Sequence, residues 1–94
     1  MSFWSRLFGG GNPYDDEALI IAVHKALAND PIIADPEAIS VDCEKGVITI
    51  GGRVDKVMAK DHIEGVIREA LRFYGLQFSQ IMNEVEVRPS KLAA

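Results

Sequence analysis

The stretch Gly46-Val47-Ile48-Thr49-Ile50-Gly51-Gly52-Arg53-Val54 decides the fold of this chain. Its centre, Val47 to Ile50, contains only β-branched residues, which suit the pleated and packed surface of a sheet. Lys45-Gly46 before it favours a tight hairpin turn, because glycine adopts positive φ without a steric penalty. Gly51-Gly52 after it lets the chain bend or pass close to another backbone segment. We therefore predict one β-strand between two turns.

The residues before this strand predict its hairpin partner. From Ala38 to Cys43 apolar and polar side chains alternate, which is typical of a strand with one buried face. On the strand after the turn, Ile48 and Ile50 are predicted to face the core. Val47 and Thr49 then lie on the opposite side of the sheet.

Two amphipathic helices flank the hairpin. The first begins at Asp15-Asp16-Glu17, whose charges suit a helix N-terminus, and ends before Pro31. The second is predicted from about Asp55 to Phe73. Its apolar stripe comprises Ile63, Val66, Ile67, Ala70, Leu71 and Tyr74. A last strand is predicted from Ile81 to Arg88, because apolar and charged residues alternate there.

The order of elements, αββαβ, predicts an α+β two-layer sandwich. Its three-stranded mixed sheet has both helices packed on one face, since this arrangement buries every apolar stripe. The second helix is a crossover, which makes the second and third strands parallel. We expect residues 1–14 to be a flexible N-terminal arm with a glycine-rich linker, residues 15–88 to be the domain and residues 89–94 to be a C-terminal tail.

The composition is that of a single folded domain. The chain has 94 residues, of which 48% are hydrophobic and 26% are charged, enough for one modest core. Its net charge of −4 disfavours nucleic acid as a partner, because phosphates demand a basic face. Neither a run of about 20 apolar residues nor a secretory signal is found. We expect a cytoplasmic protein, either free or peripheral at the inner face of the membrane.

The N-terminal arm carries the candidate binding residues. Four large apolar residues of the arm have helical spacing, and one basic residue lies among them. The candidates are Phe3, Trp4, Arg6, Leu7 and Phe8. Eight residues are too few for a stable helix in water, so the segment would need a surface on which to fold. Two interpretations remain open, an arm that is disordered or packed on its own domain, and an anchor for a membrane or a protein partner.

Residues typical of catalysis or metal binding do not cluster in the sequence. His24 and His62 lack the spacing of a metal-binding pair and have no grouped carboxylate ligands. Cys43, the single cysteine, alternates with apolar residues, which predicts a core-facing side chain rather than a nucleophile. Helix capping explains Asp15-Asp16-Glu17 without a cation site. We therefore predict a non-enzyme with no catalytic residue, no metal and no cofactor.

Three groups of residues together carry a family resemblance. The opening helix follows the pattern D-x-x-I-x-x-x-V-x-x-A-L with Asp16, Leu19, Val23, Ala26 and Leu27. The organising strand follows G-x-V-x-L-x-G-x-V with Gly46, Ile48, Ile50, Gly52 and Val54. The closing strand follows N-x-L-x-V with Asn83, Val85 and Val87. With these residues the chain resembles the bacterial BON domains, a family named after osmotic-stress and nodulation proteins. One departure is a longer interval between Gly75 and Asn83, which implies a longer loop than in the family.

The resemblance implies a non-catalytic binding module that associates with phospholipid membranes or with envelope structures. A protein–protein interaction or homo-oligomerisation module in a stress response is the alternative. Because some relatives act in osmotic or potassium sensing, a cation-responsive sensor is a third interpretation. In the first two, the partner is a membrane surface or a protein, and the family-motif residues have structural roles.

Overall fold

The computed structural model describes residues 13–89 of the chain. These residues contain two α-helices and five short strands. Helix α1 is Asp16–Asn29 and helix α2 is Val57–Tyr74. The strands are β1 (Ser40–Glu44), β2 (Val47–Gly51), β3 (Arg53–Val54), β4 (Gln80–Asn83) and β5 (Glu86–Val87). A short 3-10 helix, Pro36–Ala38, precedes β1.

The predicted organising strand, β2, is the centre of the sheet. β1 pairs with it antiparallel, with Val41 opposite Ile50, and β4 pairs with it parallel, with Asn83 on the other side of Ile50. β3 and β5 form a separate two-stranded parallel sheet, with Arg53 opposite Glu86. The α+β fold with a three-stranded mixed sheet is therefore confirmed, as is the parallel pairing across the α2 crossover.

Element boundaries differ from the sequence-based prediction at three places. The strand predicted from Ile81 to Arg88 is divided into β4 and β5, although Glu84 still donates its N–H to the Ile50 carbonyl at 2.8 Å. β1 begins at Ser40 rather than Ala38, because the preceding proline starts a 3-10 turn. α2 begins at Val57 rather than Asp55, since Lys56 is still extended after β3.

Gly52 separates β2 from β3 and allows a close backbone approach. Its φ of +129° lies in the region that favours glycine, and an added Cβ would lie 2.6 Å from the Ala38 carbonyl oxygen. The predicted bend after the strand is thus a contact between the central strand and the segment that leads into β1.

One apolar core lies between the helices and the sheet. Ile48 and Ile50 of β2 are fully buried in it, whereas Val47 and Thr49 on the other face are half-buried. The other buried members are Leu19, Ala22, Val23, Leu27, Ile39, Ile63, Ile67, Leu71 and Val85. The predicted α2 stripe is correct except at its end, where Tyr74 is exposed. Tyr74 is the last residue of the helix, which Gly75 terminates in a left-handed conformation.

The two helices run antiparallel and are joined by a polar contact. Asp30, the residue after α1, places Oδ1 3.1 Å from Nε2 of His62 in the second turn of α2. The pKa of the Asp30 carboxyl lies below its ordinary value, mainly because of the hydrogen bond from His62. The same oxygen accepts the N–H groups of Ile32 and Ile33, which fixes the chain as it leaves α1.

Candidate functional site

The arm residues proposed for binding, Phe3 to Phe8, lie outside the described residues. The geometry of the candidate site therefore starts where the arm joins the domain, at Tyr14. The Tyr14 ring packs against Gly46 so closely that an added Cβ there would lie 2.5 Å from a ring carbon. Gly46 has φ +80° and Lys45 has φ +50°, the two positive values that a two-residue hairpin turn requires. The arm therefore joins the domain directly beside the hairpin turn.

Asp16 ties this turn to the start of α1. Its carboxylate accepts the backbone N–H groups of Lys45 and Gly46, each at 2.8 Å. The adjacent Asp15 is the helix cap, since its side chain accepts the N–H of Ala18 at 3.1 Å. Sequence reasoning assigned both residues to the helix N-terminus and missed the second role of Asp16, because its partners are about 30 residues away in the chain.

The loop between α2 and β4 reaches the same place. Ser79 donates its N–H to the Gly46 carbonyl at 2.7 Å, which joins this loop to the hairpin turn. Within the loop, Phe78 lies 5.9 Å from the Arg68 guanidinium, a distance suited to a cation–π contact. We call the region formed by Tyr14, the Lys45-Gly46 turn and Ser79 the arm-proximal end of the domain.

Asn83 holds the break between β4 and β5. Its side-chain amide donates to the Lys60 carbonyl at 3.0 Å, and its side-chain oxygen accepts the Val85 N–H at 3.2 Å. A second contact places the same amide 3.4 Å from Glu64 on α2. The asparagine therefore connects the last strand to α2, which explains why this polar residue lies within an apolar strand pattern.

The thiol of Cys43 faces Asp16 rather than a catalytic base. Its Sγ lies 3.4 Å from Asp16 Oδ1, and the side chain packs against the core while remaining partly accessible. Burial, together with the hydrogen bond to this carboxylate, raises the pKa of the Cys43 thiol from 9.0 to about 11. Such a thiol is protonated at neutral pH and is a poor nucleophile.

We expect Cys43 to react slowly with iodoacetamide at pH 8. A rise of the pKa from 9.0 to about 11 lowers the thiolate fraction about 100-fold, and only the thiolate reacts. The control is Ser40→Cys in a Cys43→Ser background, which puts an exposed thiol on the solvent-facing side of the same strand. Equal alkylation rates of the two proteins, followed by mass spectrometry, would contradict the assigned environment of Cys43.

The histidines do not form a joint site. His24 is exposed on α1, whereas His62 is bonded to Asp30. In residues 13–89, no group of three or more His, Cys, Asp or Glu side chains is arranged to hold a metal ion. Neither described helix is long and apolar enough to cross a membrane. The Asp30–His62 contact was missed at the sequence level, because nothing local connects a helix end with a residue 32 positions later.

Comparison with known proteins identifies the family of the chain. The family model of the BON domain matches residues 15–72, more than half of the chain. The chain belongs to the BON domain family. Among curated proteins, none matches it. BON domains are non-catalytic binding modules known for association with phospholipid membranes and with osmotic stress.

The BON match covers the contacts at the arm-proximal end that involve Asp16 and Gly46. It ends at Arg72, before the loop of residues 75–79 and before Asn83, although the residue pattern itself extends to Val87. The structure nevertheless completes the BON sheet with β4 parallel to β2. Residues 75–79 connect α2 to β4, and the greater length of this loop relative to the family stays a prediction.

Proposed function

We propose that this BON domain is a non-catalytic module that binds a phospholipid membrane through its N-terminal arm. In this proposal the protein is peripheral at the inner, cytoplasmic face of the membrane and connects it to an envelope or stress-response partner. His24, His62 and Cys43 have no catalytic role. Family membership supports the general class of function, and the arm supplies the specific hypothesis.

The composition of the arm is the observation that carries the proposal. Phe3, Trp4, Leu7 and Phe8 share one face when the segment is helical, and Arg6 lies at the side of that face. Aromatic rings and a basic residue suit the boundary between headgroups and acyl chains, where a short segment can become helical. The arm is followed by Gly9-Gly10-Gly11, a composition typical of flexible linkers.

Homo-oligomerisation through the open sheet face is the competing function. This face carries Val47, Thr49 and the exposed Met82, but the acidic residues Asp42 and Glu84 lie among them. Two copies that stacked these faces would bring like charges together, which is unfavourable. We therefore favour the membrane, and sedimentation velocity of the lipid-free protein distinguishes the two functions.

Flotation with vesicles of phosphatidylcholine and phosphatidylglycerol tests the proposal. We expect the full-length protein to float with the vesicles and the double variant Trp4→Ser, Phe8→Ser to remain at the bottom, because the apolar face is lost. The matched control, Ser2→Asn with Ser5→Asn, changes the opposite side of the arm and should float like the unmodified protein. Equal flotation of all three proteins, or flotation of none, would contradict the arm as a membrane anchor.

A further inference from the structure

An exposed aromatic pair ends helix α2. Phe73 is 84% exposed and Tyr74 is 49% exposed. Their rings form an edge-to-face pair with centroids 5.4 Å apart. Both lie just before Gly75, whose left-handed conformation ends the helix. Two adjacent exposed rings form a contiguous apolar patch, a feature that interaction surfaces share.

The pair lies at the arm-proximal end of the domain. α2 continues for 11 residues from His62, the partner of the α1 terminus, to Phe73, which is about 16 Å along the helix axis. Because the helices are antiparallel, the end of α2 lies beside the start of α1. Tyr14 at that start packs on Gly46, and Gly46 in turn accepts the Ser79 N–H from the loop after α2.

The arm and the aromatic pair can therefore reach one flat surface together. The chain from Phe8 to Pro13 spans at most about 18 Å when fully extended. An arm lying in a membrane interface thus keeps the arm-proximal end within about 18 Å of the headgroups. Phe73 and Tyr74 are the large exposed apolar residues that the described structure places at this end.

We propose that Phe73 and Tyr74 form a second membrane contact, which inserts at headgroup depth beside the arm. This inference rests on the proposed membrane function. Tyrosine suits this depth because its ring is apolar and its hydroxyl remains hydrated. The side chain of Arg72 is 79% exposed, and its ion pair with Glu69 is weak because the two charged groups are 3.8 Å apart. Arg72 can therefore turn toward lipid phosphates.

Apolar burial rather than net charge drives this contact. The exposed cations Lys45 and Arg72 are offset by the exposed Glu17 and Glu44 near the start of α1 and the hairpin turn. Two weak contacts joined by a short linker act together, so loss of the second contact weakens overall binding. We expect Phe73→Ser to reduce vesicle affinity roughly 10-fold, with little dependence on salt.

Site-specific tryptophan fluorescence tests the orientation directly. In full-length protein carrying Trp4→Phe, we place the reporter at the aromatic pair with Phe73→Trp, or at the opposite end with Ile32→Trp. Ile32 is the matched control, because it is apolar, 72% exposed and adjacent to the Asp30–His62 contact. The probe is a phosphatidylcholine–phosphatidylglycerol vesicle with brominated acyl chains, which quench tryptophan at the membrane.

We expect the reporter at position 73 to shift to shorter wavelength and to be quenched, while the reporter at position 32 is unchanged. Quenching at position 32 alone, or equally at both positions, would overturn the proposed orientation. An unquenched reporter at position 73 in a protein that still floats would refute the second contact but leave the arm anchor standing. Failure of the unmodified protein to float would instead refute the proposed membrane function. A concentration-dependent shift at position 73 without lipid would assign the pair to a second copy of the chain.

Discussion

Replacing Ile50 with alanine is expected to lower the free energy of unfolding by about 2–5 kcal/mol. Ile50 is fully buried at the centre of the sheet, with Val41 opposite it on β1 and Asn83 on β4. The smaller side chain loses apolar burial and leaves a cavity between the sheet and the helices. The rigid central strand limits how far the neighbouring residues can move to fill that cavity.

Thr49→Ala is the matched control for this prediction. Thr49 is adjacent on the same strand but points to the open face, where it is half-buried. Thr49→Ala should lower the free energy of unfolding much less than Ile50→Ala does, because it removes only part of a small side chain from a solvated surface. Equal shifts of the two urea midpoints would show that the assigned facing of β2 is wrong.

Replacing Asp16 with alanine should lower the free energy of unfolding by about 2–4 kcal/mol. The substitution removes a charged acceptor from two backbone N–H groups of the hairpin turn, of which the one from Gly46 is partly buried. A hydrogen bond to a charged group contributes about 1.5–3 kcal/mol, and the exposed Lys45 N–H recovers some of this from water. The turn also loses its connection to α1.

The adjacent Asp15→Ala provides the comparison. Asp15 makes one exposed capping bond to Ala18, and loss of such a cap costs about 1 kcal/mol. The two variants have the same change in charge and lie at the same helix terminus. If chemical denaturation found Asp15→Ala as destabilising as Asp16→Ala, the role of Asp16 at the hairpin turn would be refuted.

Local periodicity explains how much of the fold was predictable. The two-residue period of a strand was enough to place Ile48 and Ile50 in the core. The glycine before the strand was enough to predict the turn. The order of elements then gave the two-layer fold and the parallel pairing of β2 with β4.

Contacts between distant residues were not predictable from such patterns. The bond from Asp16 to the hairpin turn depends on how α1 docks on the sheet, and the sequence around Asp16 shows only a helix start. The Asp30–His62 pair likewise depends on the antiparallel packing of the helices. The exposure of Tyr74 was missed because a helical stripe does not tell whether a partner surface extends beyond the helix end.

The candidate site was likewise predictable only in part. The sequence alone identified the arm as a binding candidate, since the apolar residues from Phe3 to Phe8 have helical spacing and a run of glycines follows them. It could not reveal that the arm joins the domain beside the hairpin turn, because that follows from the packing of Tyr14 on Gly46. It also could not show that Phe73 and Tyr74 are exposed near this junction.

Emission of Trp4 tests the membrane function most directly, because it is the only tryptophan in the chain. We predict that the lipid-free monomer emits like a water-exposed tryptophan and that vesicles containing phosphatidylglycerol shift the emission to shorter wavelength. The shift should saturate with lipid and parallel the flotation of the protein. A Trp4 that is already blue-shifted and protected from a soluble quencher without lipid would contradict the account, since the arm would then be packed on its own domain.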